Sequence, residues 1–132
     1  MTDPPLVMIV EDLEFWQDAL SEVLTDAGYR VCCASSHTEA LEALAQDRIH
    51  LAIIDPVLDD ANRRNRDGLR VLQHILAEYP HISSMIVTSS EPHRIRREVA
   101  VISPDVPLLW KDEWDDNQFL AVVDDLLSVK RF

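Results

Sequence analysis

Four apolar runs in this chain end on polar side chains that could share one site. Leu6 to Val10 runs into Glu11-Asp12, and Leu51 to Ile54 into Asp55. Ser84 to Thr88 closes on a hydroxyl, and Val106 to Trp110 runs into Lys111. Short apolar runs suit strands buried on both faces, as in a parallel sheet flanked by helices. Such a sheet binds ligands in the crevice beyond the carboxyl ends of its strands, where a polar side chain is placed for chemistry rather than for packing. Three carboxylates at close range repel one another and would raise a pKa unless a cation neutralises them. A carboxylate can also serve as a nucleophile. Taken singly, each residue has an ordinary reading. Asp55 could begin a turn, Thr88 could be a strand residue and Lys111 a solvated lysine. Glu11-Asp12 could simply favour the N-terminus of a following helix through its dipole. All five falling at the ends of strands one, three, four and five is hard to obtain by accident.

The elements that must position these residues can be read from the intervening segments. Trp16, Leu20, Val23, Leu24 and Ala27 recur at helical spacing, with Gly28 as a C-terminal cap. Tyr29 to Ala34 makes a second strand. Ser36 and Glu39 have the spacing of a capping box, opening a helix through Ala40, Leu41, Leu44 and Ala45. Residues 56–67 carry no periodicity and are rich in turn formers, a long loop for a compact α/β domain. Asp67 can cap a helix with Leu69, Leu72, Ile75, Leu76 and Tyr79 on its apolar face, closed by Pro80. Pro92 suits the first turn of a helix to about Val101, which carries His93, Arg94, Arg96 and Arg97 and has a weak apolar face. Asp115 with Gln118 can cap a last helix that buries Phe119, Val122, Val123, Leu126 and Leu127. Five strands alternating with five helices, joined by right-handed crossovers, give a doubly wound parallel sheet.

The bulk composition narrows the function. With 132 residues the chain reads as one domain, 1–132, long enough to bury a core. A net charge of −12, from 24 acids against 12 bases, argues against direct nucleic-acid binding and against an anionic membrane surface. The acidic surplus also suits a carboxylate cluster that needs a cation. No segment approaches the apolar length that spans a bilayer, and the N-terminus lacks the basic region of a signal peptide. Cys32 and Cys33 are adjacent in a strand, poorly placed to bridge each other or to hold a metal, and read as small buried residues. A reducing cytoplasm is expected.

From Leu6 to about Val129 the chain resembles the response-regulator receiver domain. The resemblance rests on Ile9-Val10-Glu11-Asp12, Ala27-Gly28-Tyr29-Arg30-Val31 and Leu51-Ala52-Ile53-Ile54-Asp55. Asp67-Gly68-Leu69, Ile86-Val87-Thr88-Ser89 and Leu108-Leu109-Trp110-Lys111 complete it. It implies a flavodoxin-like five-stranded sheet of order 2-1-3-4-5 and reversible phosphorylation at Asp55. It also implies magnesium held by Glu11 and Asp12, with Thr88 and Lys111 binding the phosphoryl group. Mg²⁺ prefers hard oxygen ligands at about 2.1 Å and keeps several waters, so few protein oxygens suffice. Asp12 and Asp55 are the expected direct ligands, with Glu11 acting through water and the Val57 carbonyl as a further oxygen. The implied partners are a histidine kinase or phosphotransfer domain and a downstream protein target. Since the chain ends with its last helix, it would act either alone through protein contacts or as one domain of a longer chain.

Four features depart from the family's pattern. The loop from Asp55 to Gly68 is longer than usual by roughly five residues, a length at which loops are commonly functional, and it carries Arg63, Arg64 and Arg66. It reads either as a solvated insertion or as a partner-recognition or phosphate-screening loop. The prolines that commonly follow the acceptor and the lysine are replaced by Asp59 and Asp112. A cis Lys111–Asp112 bond would cost about 2.5–4 kcal/mol, so trans is expected. Leu108 replaces the aromatic of the usual switch; Trp110, on the same strand face, could substitute or could simply pack under the neighbouring helix. Ile102-Ser103-Pro104-Asp105 replaces a small turn before the fifth strand.

Two readings of other classes compete. One is an interaction module that works without phosphorylation, using the basic helix to dock an acidic partner or to dimerise against Asp124 and Asp125. The other is a Mg²⁺-dependent phosphohydrolase with Asp55 as nucleophile, but Val57 stands where a general acid would be needed. Turnover of a separate substrate is therefore not expected. A flavin site fails on charge, because Glu11-Asp12 would sit where a phosphate must bind.

Overall fold

Alternate residues of each apolar run point to opposite faces of one sheet, and helices cover both faces. The computed structural model describes residues 3–89 and 92–129; the ends of the expected 1–132 domain lie outside them. In order, the elements are β1 (Leu6–Val10), α1 (Glu14–Asp26), β2 (Arg30–Ala34), α2 (His37–Gln46), β3 (Leu51–Ile54) and α3 (Asp67–Glu78). They continue with β4 (Ser83–Thr88), α4 (Pro92–Ile102), β5 (Leu108–Trp110) and, after a 3₁₀ turn at Lys111–Glu113, α5 (Asp116–Val129). The five strands form one sheet in the order β2-β1-β3-β4-β5, and every pairing is parallel.

Met8, Val10, Ala52, Ile54 and Ile86 pack under α2, α3 and α4, whose inward residues include Leu44, Leu72, Ile75, Ile95 and Val99. Val7, Ile9, Leu51, Ile53, Met85 and Val87 pack under α1 and α5 against Leu20, Leu24, Phe119 and Val123. Burial on both sides is why these strands read as unbroken apolar runs rather than as alternating ones. Although α4 has a weak apolar face, Ile95 and Val99 anchor it in the core. Among the described residues no helix is long and apolar enough to cross a membrane.

The local stops act as the residue types dictate. Gly28 has φ of 95°, the Tyr29 N–H donates to the Leu24 carbonyl at 3.0 Å and the Gly28 N–H to that of Thr25 at 3.0 Å. That is a Schellman closure of α1. Ser36 caps α2 by accepting from the Glu39 N–H at 3.2 Å, while the Glu39 carboxylate reaches back to the Ser35 N–H and hydroxyl. Asp115 Oδ1 accepts from the N–H groups of Asn117 and Gln118 at the start of α5.

Four expectations need correction. Leu76 is not on the buried face of α3 but exposed. Asp67 does not cap α3; it is the first helical residue, and Asn65 Oδ1 accepts from its N–H at 2.9 Å and from the Leu58 N–H at 3.0 Å. The fifth strand begins at Leu108 rather than Val106, since Pro107 has no N–H to give the ladder, though its carbonyl accepts from Ile86 at 2.8 Å. The cysteines are not buried: Cys32 is half-buried and Cys33 exposed, because β2 is the edge strand and pairs with β1 alone.

Candidate functional site

Strand order decides which ends meet. β1 and β3 are neighbours, and β4 lies between β3 and β5, so Glu11-Asp12, Asp55, Thr88 and Lys111 share one edge of the sheet. Backbone bonds continue the ladder past the strands and fix the acids: the Asp55 N–H donates to the Val10 carbonyl at 2.9 Å and the Glu11 N–H to that of Ala34 at 3.0 Å. Lys111, the first residue of the turn after β5, reaches inward. Its Nζ donates to Asp55 Oδ2 and Glu11 Oε2, each at 2.8 Å. All three residues are buried, at 7%, 6% and 1% exposure. The ordinary reading of Lys111 as a solvated lysine is therefore overturned.

Each carboxylate is also held from its own side. Asp55 Oδ1 accepts from the Val57 N–H at 2.9 Å, Glu11 Oε1 from the Leu13 N–H at 3.2 Å, and Asp12 Oδ2 from the Asp60 N–H at 3.1 Å. Oxygens of Glu11, Asp12 and Asp55 lie within 4.8 Å of one another, as a common cation would require. Val57 is buried beside Asp55. Thr88 is fully buried at the end of β4, opposite Trp110 in the register. The Lys111–Asp112 bond is trans, as expected.

The charges do not balance without help. Burial pushes Glu11 up to about 7, and the Asp55 charge adds to this against the opposing pull of Lys111. Burial likewise raises Asp55, although Lys111 and the Val57 N–H pull it down. Burial alone would lower Lys111, but Asp55 and Glu11 together outweigh it and hold the ammonium above its usual range. With all three carboxylates ionised, one ammonium among them leaves a deficit of two positive charges. Clustered hard oxygens with that deficit fit a divalent ion of the Mg²⁺ class.

Three residues with a hand in this geometry were given no role at the site by the sequence. A Cβ on Gly68 would collide with the Asp55 carbonyl, and it would come within 2.7 Å of the Pro56 Cα. The Gly68 N–H donates to the Pro56 carbonyl at 3.1 Å. Only glycine lets α3 start this close to the end of β3. Asp60, in the inserted loop, closes onto Asp12 as described above. Trp16 places its ring 4.9 Å from the Lys111 ammonium. Its only sequence signal toward the site is its place one turn after Asp12.

The inserted loop is exposed at residues 59–64 but internally bonded. Asp59 and Asn62 side chains accept from Ala61 and Arg64 N–H groups, making two successive turns. Arg66 then donates to the carbonyls of Arg63 and Asn65 and pairs with Glu98 of α4 at 3.0 Å. With Leu69, Arg70, Gln73, Val101 and Ile102, this pair lines an open groove of about 300 Å³ between α3 and α4. Trp110 is half-buried with the Arg96 guanidinium 5.5 Å over its ring, so it packs beneath α4.

Comparison with known proteins identifies the family and the fold. The family described as the response regulator receiver domain matches residues 7–105. Response regulator protein FleR of Pseudomonas aeruginosa is 31% identical over 83 residues, covering 63% of this chain and 16% of that protein. A putative NtrX-like response regulator of Rickettsia bellii is 30% identical over 82 residues, covering 62% and 16%. The matched stretch thus spans about a sixth of those relatives. Among solved structures, the receiver domain of an HD domain-containing protein from Pseudomonas fluorescens superposes with a TM-score of 0.84 at 22% identity, covering 96% of this chain and 97% of that one. A CheY-like receiver from Methanospirillum hungatei gives 0.83 at 20%, covering 96% of each. These structures share the fold, and the residues matched cover three quarters of the chain. The chain belongs to the response regulator receiver domain family of two-component signalling.

Proposed function

We propose that the domain accepts a phosphoryl group on Asp55, from a histidine kinase or phosphotransfer domain, in a Mg²⁺-dependent step. The observation that carries this reading is the buried Lys111 ammonium bridging Asp55 and Glu11 beside Asp12, on a deficit of positive charge. An Asp55 oxygen attacks phosphorus, the bond from phosphorus to the donor's nitrogen or acyl oxygen breaks, and the donor leaves with that electron pair. Charge in the loose transition state is spread over the equatorial phosphoryl oxygens, so the protein's task is positioning and charge stabilisation. Lys111, already at Asp55, pairs with a phosphoryl oxygen as the carboxylate charge is consumed, and the Thr88 hydroxyl donates to another. Mg²⁺, held by Asp12, Asp55 and the Val57 carbonyl with Glu11 through water, would supply the missing positive charge. Water later attacks phosphorus, the bond from phosphorus to the Asp55 oxygen breaks, and inorganic phosphate leaves the restored carboxylate. The domain is not proposed to turn over a separate substrate.

Output would pass through protein contacts, to a separate target, to an output domain of a longer chain or to a second copy. The small matched share of the curated relatives favours the longer chain. A cytoplasmic setting follows from the donor proposed. Incubation with acetyl phosphate and Mg²⁺ should add one phosphoryl group to the intact mass. The adduct should be lost with chelator and in Asp55→Asn; equal labelling of that variant removes Asp55 as nucleophile.

A second reading, an interaction module independent of phosphorylation, draws on one observation. Leu108 replaces the switch aromatic, and Trp110 is already packed beneath Arg96 of α4. Absence of any adduct while Mg²⁺ still binds would favour it.

A further inference from the structure

Lys111 is held from three directions, and only two of them are carboxylates. An ammonium has three donors and no acceptor. Two contacts go to Asp55 and Glu11 at 2.8 Å, and a further close partner among the described residues is the Trp16 ring, whose centroid lies 4.9 Å from Nζ. The face of an indole is its electron-rich side, and the attraction of a cation to it grows as water is excluded. Here Lys111 is buried and Trp16 half-buried.

The ring is supported from the α5 side: Trp114 lies in a T-shaped arrangement with it at 5.3 Å and 79°, and Trp114 rests on the buried Phe119 at 5.0 Å. Trp114 directly follows the turn that begins with Lys111. The aromatic cluster therefore ties α1 to the segment that carries the lysine, and edge-to-face pairs hold rings in defined orientation.

We infer that Trp16 is a positioning residue for the phosphoryl step: its ring face holds the Lys111 ammonium at Asp55, so the lysine is in place before the donor arrives. The inference rests on the phosphoacceptor reading above. The competing role, plain packing between α1 and α5, predicts that any well-packed apolar side chain would do. A π-face role predicts that the side chain's electron density matters at constant shape.

The test uses Trp16→Leu, Trp16→Phe and a series in which tryptophan at position 16 alone carries one, two or three ring fluorines. Two signals are read: phosphorylation by acetyl phosphate, and the ¹⁵N signal of the Lys111 ammonium. At saturating donor the rate should fall by about tenfold in Trp16→Leu, recover in part in Trp16→Phe and decline stepwise with fluorination. The half-saturating donor concentration should hold. The ammonium signal should broaden in the same order. Wild-type rates and an unchanged ammonium signal in Trp16→Leu and across the fluorinated series would overturn the proposal. Should Trp16→Leu fail to fold, the fluorinated series, which keeps the ring's shape, decides alone. Should the wild type take no phosphoryl group, the phosphoacceptor reading fails, and the ammonium signal still judges Trp16. Broadening with fluorination supports the hold on Lys111, and indifference to fluorination removes it.

Discussion

Lys111 is the residue on which the local electrostatics turn. Removing one partner of a buried ion pair leaves an uncompensated charge, which costs about 3–5 kcal/mol. Lys111→Met should therefore lower metal-free stability by that order in denaturant titrations. A loss no larger than a surface substitution would mean that the carboxylates are solvated rather than buried. Glu11 gives a pH-dependent counterpart. Its pKa is raised from 4.5 to about 7, so the folded state holds the proton more tightly than the unfolded chain does. The stability from that protonation is full below about 4.5 and is lost as pH rises through about 7. Metal-free wild type should lose stability relative to Glu11→Gln as pH rises from about 4.5 to about 7. A difference that stays flat would contradict the assigned burial. That these residues meet at one edge was legible, because each closes or follows an apolar run. Trp16 as a partner of Lys111 was not legible: its helical spacing with Leu20 and Val23 accounts for it as a packing residue, and the pairing spans a long sequence separation.

At the scale of elements, the helices were legible wherever burial imposes a period, and the strands wherever it imposes an unbroken apolar run. The misreadings fall where another constraint overrides a local rule. Asp67 has the type of an N-cap, but Asn65, two residues earlier, already accepts from its N–H. Cys33 lies in a strand, yet that strand is an edge. The inserted loop has no period at all, and the Asp60 N–H on Asp12 and Arg66 on Glu98 are long-range bonds that no local pattern encodes. The junction of β3, the loop and α3 is tight at Gly68, where a Cβ meets backbone that cannot swing aside as a side chain can. Gly68→Ala should force that junction apart, with a loss of about 1–3 kcal/mol as for an overpacked core and a slower phosphoryl step, because Asp55 is displaced. Unchanged thermal midpoint and rate would show that the backbone there yields freely.

Across the whole molecule, the parallel order 2-1-3-4-5 brings residues 11, 12, 55, 88 and 111 to one edge, although 100 positions separate the two partners of the Lys111–Glu11 pair. The family and the site were readable because sheet topology follows from alternation, and alternation is written in the sequence. Partner choice is not written there in the same way, since it depends on exposed charge and on loop conformation. A cation that binds the folded state alone stabilises it, by about 1.4 kcal/mol at ten times its Kd. Mg²⁺ should raise the thermal midpoint accordingly, and Asp12→Ala should abolish the shift; an equal shift in that variant would take Asp12 out of the site. The central claim, that Asp55 is the nucleophile, is tested most directly by trapping. Borohydride reduces an acyl phosphate to an alcohol, and peptide sequencing by mass spectrometry then locates the altered side chain. After acetyl phosphate and Mg²⁺, the change should fall on Asp55 alone and vanish when the metal is chelated. An altered Glu11 or Asp12, or no altered residue in protein that still binds Mg²⁺, would contradict it.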